Sequence, residues 1–326
     1  MQASDWVLGG DAPHASPKCS LSGQITRLWG ADPELPGNRI EPIGFGIKRL
    51  PPGGKTRRRS TQPAERTVTI PCMRKAKAEG RKLVQVTANT PEELRATEEA
   101  GIDMMVSDAA NAGIIRQHNK TTFCTAAIKM TEHATTDDIL REAFRALQAG
   151  VDAIITPRSF QVVETLAREG IPVMGHLGLV PRKSVLIGGM RAVGKTAEEA
   201  LELFRDYKRL ECAGAFAVES EVIAAQTMAE IAMLTPLICV SLGSGKGGDV
   251  NFLFQTDLTG ETPNPPRHVQ VFGNFSSLHQ KVHDARIAAL TAFREAATSG
   301  AFPPDHITPA MSEAEHEKLL HSTDNI

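Results

Sequence analysis

Three times along the chain, a helix-like segment ends on the dipeptide Ala-Gly and a strand-like run follows at once. These junctions are Glu99–Asp103, Gln148–Asp152 and Cys212–Phe216. Glycine closes a helix readily because it adopts the left-handed conformation without steric cost. A repeated helix–glycine–strand unit is typical of a parallel sheet with helices packed outside it. We therefore predict an α/β fold, and within that class a closed (β/α)8 barrel of the TIM type.

An open, doubly wound sheet is the alternative arrangement for the same repeat. About seven strand-like runs fit the pattern, which favours the barrel. These runs are Lys82–Thr87, Asp103–Ser107, Thr122–Ile128, Ala153–Thr156, Val173–Met174, Ala215–Glu219 and Leu237–Ser241. No GxGxxG motif follows the first run, which argues against the dinucleotide-binding form of the open sheet. Only residues 111–121 separate the second and third runs, so we expect no helix between them.

The composition excludes several classes of protein. The chain has 326 residues, 41% of them hydrophobic, and a formal net charge of -2. That charge gives no general attraction to nucleic acid or to an anionic membrane, and no apolar run reaches the roughly 18 residues of a membrane helix. The N-terminus lacks the pattern of a signal peptide. The five cysteines are scattered and form no CxxC pair, so we expect reduced thiols and a cytoplasmic protein.

Residues 1–66 differ from the rest of the chain. Proline and glycine interrupt this region throughout, yet it holds both tryptophans, Trp6 and Trp29. A segment of this kind cannot build its own core. We predict an extended N-terminal arm, anchored by these apolar side chains on its own barrel or on a neighbouring subunit, followed by one barrel domain over residues 67–326. We interpret the basic run Lys55–Arg59 as a solvated loop.

In parallel α/β folds, catalytic and ligand-binding residues lie at the carboxyl ends of the strands. The ionisable residues at those positions that we favour are Asp108, His176 and Glu221, with Lys129, Arg158 and Glu219 as second choices. A carboxylate at a strand end can ligate a divalent cation or move a proton. Taken singly, each such residue is more often a cap or an ion-pair partner. Their convergence at one mouth is what indicates a site.

Two of these strand ends carry the most specific motifs. Pro172–Pro181 reads PVMGHLGLVP and contains His176, and Ala213–Glu221 reads AGAFAVESE and ends on Glu221. With Glu98–Ala109 and the glycine-rich turn Leu242–Gly245, they occur in the order expected along a barrel. Over roughly residues 67–305 the chain resembles the ketopantoate hydroxymethyltransferase family, within the phosphoenolpyruvate mutase and isocitrate lyase superfamily.

The resemblance implies a chemistry and a set of roles. In that family a divalent metal such as Mg²⁺ holds a 2-oxo acid and stabilises its enolate, which takes a one-carbon unit from methylenetetrahydrofolate. Carried over, Asp108 is a metal ligand and lies beside the substrate, Glu221 transfers the proton, and His176 contacts the small carboxylate substrate. Ala109 and Lys129 complete the substrate-binding set that we expect. The family also forms multimers, so we expect a homo-oligomer.

The chain also departs from the family pattern. Ala109 stands where the family has a serine, and residues 126–128 replace the second metal-binding aspartate. The family's Lys-x-Glu pair falls near residues 155–157. Glu132 and His133 could supply substitute ligands, although a solvated helix lead-in is their commoner role. Alternatively the site is metal-free, Asp108 only anchors the loop from Ala109 to Gly113, and Lys129 or Arg158 is the electrophile.

Three functions therefore remain open at the level of sequence. The first is a hydroxymethyltransferase-like enzyme that makes or breaks a carbon–carbon bond next to a 2-oxo acid through an enolate. The second is a lyase or aldolase of the same superfamily that acts on another carboxylic acid. The third is a catalytically silent paralogue whose barrel serves assembly or regulation.

Overall fold

The computed structural model describes residues 55–57 and 63–323. Most of the predicted N-terminal arm, including Trp6 and Trp29, therefore lies outside the described residues. Two short strands at its end, β1 (Lys55–Arg57) and β2 (Pro63–Glu65), pair antiparallel. The arm as a docking element stays a prediction.

Eight strands form a closed barrel, in the order β10-β3-β4-β5-β6-β7-β8-β9. They are β3 (Leu83–Thr87), β4 (Met104–Asp108), β5 (Phe123–Ala127), β6 (Ala153–Ile155), β7 (Val173–Gly178), β8 (Ala217–Glu221), β9 (Ile238–Leu242) and β10 (Val250–Leu253). Neighbours from β4 to β9 pair parallel. The predicted (β/α)8 barrel is confirmed, and the open sheet is excluded because the strand order closes on itself.

Helices alternate with most of these strands. They are α1 (Ile70–Ala78), α2 (Pro91–Glu99), α3 (Ala112–His118), α4 (Thr136–Ala149), α5 (Phe160–Arg168), α6 (Ala197–Cys212), α7 (Ala225–Leu234), α8 (Gln255–Leu258), α9 (Phe275–Ser299) and α10 (Glu313–Thr323). Thr90 and Thr135 each close a capping box at the start of α2 and α4. Such boxes satisfy two orphan backbone N–H groups at once, so the sequence alone locates these helix starts.

The prediction that no helix separates the second and third strands was wrong. Helix α3 occupies Ala112–His118, after a 3-10 turn over Ala109–Asn111. Seven residues complete almost two helical turns, so the short connection is long enough. Ala112 and Ile115 are fully buried, which indicates that tertiary packing stabilises a helix too short to be stable alone.

Two strands, β7 and β10, differ most from what the sequence indicated. We predicted that β7 ends at Met174, with His176 in the following turn, but the strand continues to Gly178. Glycines 175 and 178 obscured the strand pattern, because glycine is unfavourable in strands unless packing requires it. The eighth strand, β10, was not predicted at all, since its four residues follow directly on the glycine-rich turn after β9.

The chain divides into two compact units. The larger contains the described residues up to Gln85 and Asn89–Asn251, and the smaller contains Val86–Ala88 with the chain from Phe252 onward. In the smaller unit, α9 buries none of its residues, and its apolar side chains include the exposed Leu278 and Phe293. Among the described residues, no helix is long and apolar enough to span a bilayer.

A buried ion network stabilises the end of the barrel opposite the carboxyl ends of the strands. Asp152, immediately before β6, accepts from Arg66 Nε at 2.7 Å and from an Arg116 terminal nitrogen at 2.6 Å. Its Oδ2 also accepts the Cys124 backbone N–H at 2.9 Å. Both arginines donate further to backbone carbonyls. The network therefore ties the chain segment before α1 and helix α3 to strands β5 and β6.

We expect Asp152→Ala to lower the free energy of unfolding by about 3–5 kcal/mol, because two largely buried guanidinium groups lose their carboxylate partner. Urea denaturation of the full chain measures this. The matched control is Glu164→Ala, which removes the exposed i,i+4 partner of Arg168 and should cost about 0–1 kcal/mol. Equal losses in the two variants would contradict the structural role of the network.

Candidate active site

The register between β7 and β8 determines which side chains meet at the mouth of the barrel. It pairs His176 with Glu219 and Gly178 with Glu221. A Cβ added to Gly175 would collide with the Leu210 side chain of α6, so position 175 faces the helix layer. Because successive residues of a strand point to opposite faces, His176 faces the barrel interior. The two glutamates, one strand pleat apart on β8, share that face.

These three side chains form a compact ionisable cluster. His176 Nε2 lies 2.9 Å from Glu221 Oε2 and 3.7 Å from Glu219 Oε1. The exposed fractions of the side chains are only 11% for His176, 10% for Glu219 and 13% for Glu221. One ligand atom from each residue lies within 4.8 Å of the other two. Two carboxylates therefore approach a single imidazole nitrogen, and only one can accept its proton at a time.

The environment changes the acidity of two cluster members. Burial alone would lower the pKa of His176, but the charges of Glu219 and Glu221 outweigh it, so that the pKa of His176 is raised. Burial raises the pKa of the Glu219 carboxyl, and the Glu221 charge adds to this effect, although His176 opposes it. Both shifts favour bound protons. The cluster thus retains a proton more readily than the same groups would in water.

The carboxyl end of β8 is held in place from two sides. Ser244, after β9, donates its hydroxyl to the Ser220 carbonyl at 2.6 Å and accepts the Ile223 N–H at 2.8 Å. On the other side, the Leu179 N–H donates to the Glu221 carbonyl at 2.8 Å. Gly178 has φ +93 and would bring any Cβ against that same carbonyl, so only glycine fits. These contacts fix the backbone that carries Glu221.

A separate ion pair joins the ends of β4 and β5. Lys129 Nζ lies 3.0 Å from Asp108 Oδ2 and 3.3 Å from Glu132 Oε1. The hydrogen bond with Asp108 is the main reason why the pKa of Lys129 is raised. Half of the Lys129 side chain is exposed, so its ammonium group can meet a ligand. Ala109 is buried, and its carbonyl accepts from Arg145.

Asn89, and not Asp108, anchors the segment that follows β4. Its side-chain oxygen accepts from the Ser107 hydroxyl, the Asp108 N–H and the Asn111 amide, at 3.2, 2.9 and 3.1 Å. Because Asn89 holds the backbone, the Asp108 carboxylate is directed to Lys129.

The metal role predicted for Asp108 does not fit this geometry. A lysine ammonium occupies the position beside Asp108 Oδ2 that a cation would take, and the neighbouring residue on β5 is Ala127. Hard divalent cations require several oxygen ligands. Among the described residues, the group with metal-ligand spacing is His176, Glu219 and Glu221.

Comparison with known proteins identifies the family of the chain. The model of the family described as ketopantoate hydroxymethyltransferase matches residues 67–305. The chain belongs to the ketopantoate hydroxymethyltransferase family.

Two members of this family are similar to the chain over most of their own length. The 3-methyl-2-oxobutanoate hydroxymethyltransferase of Hyperthermus butylicus is 31% identical over 277 residues, covering 77% of this chain and 94% of that protein. The enzyme of the same name from Pyrobaculum calidifontis is 31% identical over 273 residues, covering 75% and 99%. Among solved structures, 2,3-dimethylmalate lyase, a superfamily member, superposes with a TM-score of 0.42 at 13% identity, covering 78% of this chain and 98% of that one.

The remaining site candidates from the sequence make contacts that stabilise the local structure. The Arg158 guanidinium donates to the carbonyls of Met130, His133 and Ala134, at 3.1, 2.9 and 3.2 Å. It therefore fixes the loop after β5 and is poorly placed as an electrophile. Glu132 pairs with Lys129, while His133 contributes its carbonyl.

Glu219 is the functional candidate that sequence reasoning ranked too low. The signal was present, because Glu219-Ser220-Glu221 alternates along a strand and places both glutamates on one face. Position in the sequence favours Glu221 and leaves Glu219 as a second choice. The contact with His176, which depends on the register with another strand, could not be read from β8 alone.

A cavity of about 480 Å³ adjoins the cluster on the other side of β7. Phe160 of α5 and Asp206 of α6 contribute to its wall, together with Lys183 from the segment after β7. Burial lowers the pKa of Lys183 and raises the pKa of Asp206. Neither Glu219 nor Glu221 lines this cavity, so it lies between β7 and helices α5 and α6 and not at the cluster itself.

We expect Glu219→Gln to lower the pKa of His176, because the substitution removes one of the two carboxylate charges that raise it. Titration of the His176 ring followed by ¹⁵N NMR, in chelator-treated protein, measures this. Glu132→Gln, outside the cluster, should leave the His176 titration unchanged. An unaltered titration in Glu219→Gln would show that the two groups do not interact.

Proposed function

We propose that this protein is an enzyme that makes or breaks a carbon–carbon bond next to the carbonyl of a small 2-oxo acid, through an enolate. The observation that carries the proposal is the 2.9 Å hydrogen bond between His176 and Glu221 at the carboxyl ends of barrel strands. The relatives named after 3-methyl-2-oxobutanoate support that acid as the first substrate to test. Methylenetetrahydrofolate, which the family resemblance implies, is the one-carbon donor that we propose.

Glu221 is the proposed proton acceptor. When the substrate loses the hydrogen on the carbon next to its carbonyl, the electron pair of that C–H bond becomes the enolate, and the proton passes to the Glu221 carboxylate. His176 holds Oε2 of Glu221 through Nε2, which orients the carboxylate. A general base in hydrogen-bond contact with an orienting group is the usual arrangement for such a transfer.

Lys129 is the proposed contact for the substrate carboxylate. Its ammonium is raised in pKa and half exposed, so it stays charged and accessible. Asp108 holds it from one side and Glu132 from the other. The Lys129 ammonium lies beside Asp108, the residue for which the family resemblance implied a metal.

A lyase acting on another carboxylic acid is the alternative, since the same proton transfer serves cleavage in the reverse direction. A catalytically silent paralogue is the third hypothesis, and it is favoured only by the replacement of the family's aspartate around Ala127. A retained, buried His176–Glu221 pair argues against it, because ionisable groups are costly to bury without a role.

We also propose that the chain forms a homo-oligomer. Helix α9 exposes Phe275, Leu278 and Phe293, and apolar side chains in such number on one element favour burial against another chain. Cys124 and Cys239 form no disulfide, which supports the cytoplasmic location that we propose.

Exchange of the hydrogen next to the substrate carbonyl tests the proposal directly. In D₂O, ¹H NMR should show that the protein replaces the C3 hydrogen of 3-methyl-2-oxobutanoate with deuterium. We expect Glu221→Gln to fold normally and to slow this exchange by about 10²–10⁴-fold, because the amide cannot accept the proton.

Glu164→Gln, on the exposed face of α5, is the matched control and should exchange as the wild type does. Wild-type exchange in Glu221→Gln would rule out Glu221 as the base. Absence of exchange in the wild type, with this acid and with related 2-oxo acids, would favour the silent paralogue.

The role of Lys129 is tested by comparing the substrate with its neutral amide. A hydrogen bond to a charged group contributes about 1.5–3 kcal/mol, so Lys129→Met should weaken binding of the acid by roughly tenfold or more. Binding of the amide should change little. Calorimetry measures both affinities, and an equal loss for acid and amide would show that Lys129 does not recognise the carboxylate.

A further inference from the structure

When fully deprotonated, the His176–Glu219–Glu221 cluster has no balancing positive charge among the ion pairs of the described residues. Two ionised glutamates and one neutral imidazole carry two negative charges in a largely buried setting. Lys129 is engaged by Asp108 and Glu132, and the ion pairs of the described residues include no lysine or arginine on Glu219 or Glu221. Buried charge of this kind is stabilised by protons or by a cation.

Glu219 shows the imbalance most clearly. The residue is only 7% exposed, and the hydrogen bonds of the described part of the chain include none to its carboxylate. Its nearest polar partner is His176 Nε2 at 3.7 Å, beyond hydrogen-bond distance. This largely buried carboxylate is directed towards a nitrogen and a second carboxylate, and it has no hydrogen-bond donor within reach among the described residues.

The donor atoms match the requirements of a transition-metal site. The imidazole nitrogen and the two carboxylate oxygens come from neighbouring strands, and they lie within 4.8 Å of one another. An ion bound at about 2.0–2.2 Å from each donor needs only side-chain adjustment. Three protein ligands leave coordination positions open for water or substrate, as in catalytic metal sites.

We propose that His176 Nε2 and one carboxylate oxygen from each of Glu219 and Glu221 bind a divalent cation of the Mn²⁺, Co²⁺ or Zn²⁺ class. The ion neutralises the two carboxylates and occupies the space in which they compete for one imidazole proton. An imidazole ligand favours these metals over Mg²⁺, which prefers oxygen ligands and retained waters. This site is distinct from Asp108, whose Oδ2 is paired with Lys129.

The metal site is compatible with proton transfer by Glu221. With the ion bound, His176 Nε2 ligates it in place of the hydrogen bond to Glu221 Oε2, and the shared ion then orients the carboxylate. Ligation through Oε2 leaves Oε1 free to accept a proton from the substrate. The bound ion would also place a 2-oxo acid's carbonyl oxygen next to that carboxylate. The inference goes beyond the proposed function and stands on the geometry of the cluster alone.

Calorimetric titration of the chelator-stripped full chain with Co²⁺ tests the site without any substrate. We expect one ion per chain and a visible absorption band. Glu219→Gln and Glu221→Gln, which keep side-chain volume, should each weaken binding by at least about tenfold, the lower limit seen for groups that merely support a ligand. Asp108→Asn is the matched control and should bind as the wild type does. Affinity should fall as the pH is lowered, because protons compete for the ligands.

A second measurement uses the wild-type protein alone, so it does not require any variant to fold. Bound Co²⁺ is paramagnetic, so the ring signals of His176 should broaden in the wild-type NMR spectrum before those of other histidines. The proposal is overturned if no ion binds at millimolar Co²⁺, if both glutamine variants keep wild-type affinity, or if Asp108→Asn alone loses the ion.

The outcomes for the metal and for the reaction are separable. Ion binding without hydrogen exchange on a 2-oxo acid would support the metal site and contradict the proposed function. Exchange that persists after complete removal of bound ions, in a protein that takes up no Co²⁺, would support the function and contradict the metal site.

Discussion

The parallel pairing of β7 with β8 is the constraint on which the site depends. Its register places His176 beside Glu219 and Gly178 beside Glu221. A slip of one residue would turn either set of side chains towards the helix layer. Leu210 packs where a side chain at Gly175 would lie, and Ser244 and Gly178 hold the end of β8. Packing on the outer face of the barrel thus fixes the chemistry on its inner face.

The mouth of the barrel contains two charged groups of opposite character. Asp108 and Lys129 form a half-exposed pair that balances its own charge. The cluster of His176, Glu219 and Glu221 is buried and carries an excess of negative charge unless it holds protons or a cation. The first group suits recognition of a carboxylate from solvent, and the second suits proton transfer and metal binding in a low-dielectric environment.

Local patterns in the sequence were sufficient for the barrel but not for the site. The Ala-Gly junctions and the caps at Thr90 and Thr135 are local signals, and the structure confirms both the fold and those helix starts. Strand β10 and helix α3 were missed because they are short and are stabilised by tertiary packing. Glu219 was ranked low and Asp108 was given a metal role, because their partners come from other parts of the chain: His176 from β7 and Lys129 from the segment after β5. Sequence motifs were sufficient to indicate the ketopantoate hydroxymethyltransferase family. The grouping of charges around His176 became visible only in the three-dimensional structure.

A crystal structure of the full chain with 3-methyl-2-oxobutanoate bound would test most directly that chemistry occurs at the His176–Glu221 pair. The account predicts that C3 of the acid lies within about 3–3.5 Å of a Glu221 carboxylate oxygen, as reacting atoms do in productive complexes, with the acid's carboxylate next to Lys129. An acid bound away from Glu221, for example in the cavity beside Lys183 and Asp206 with Glu221 still closed onto His176, would contradict it.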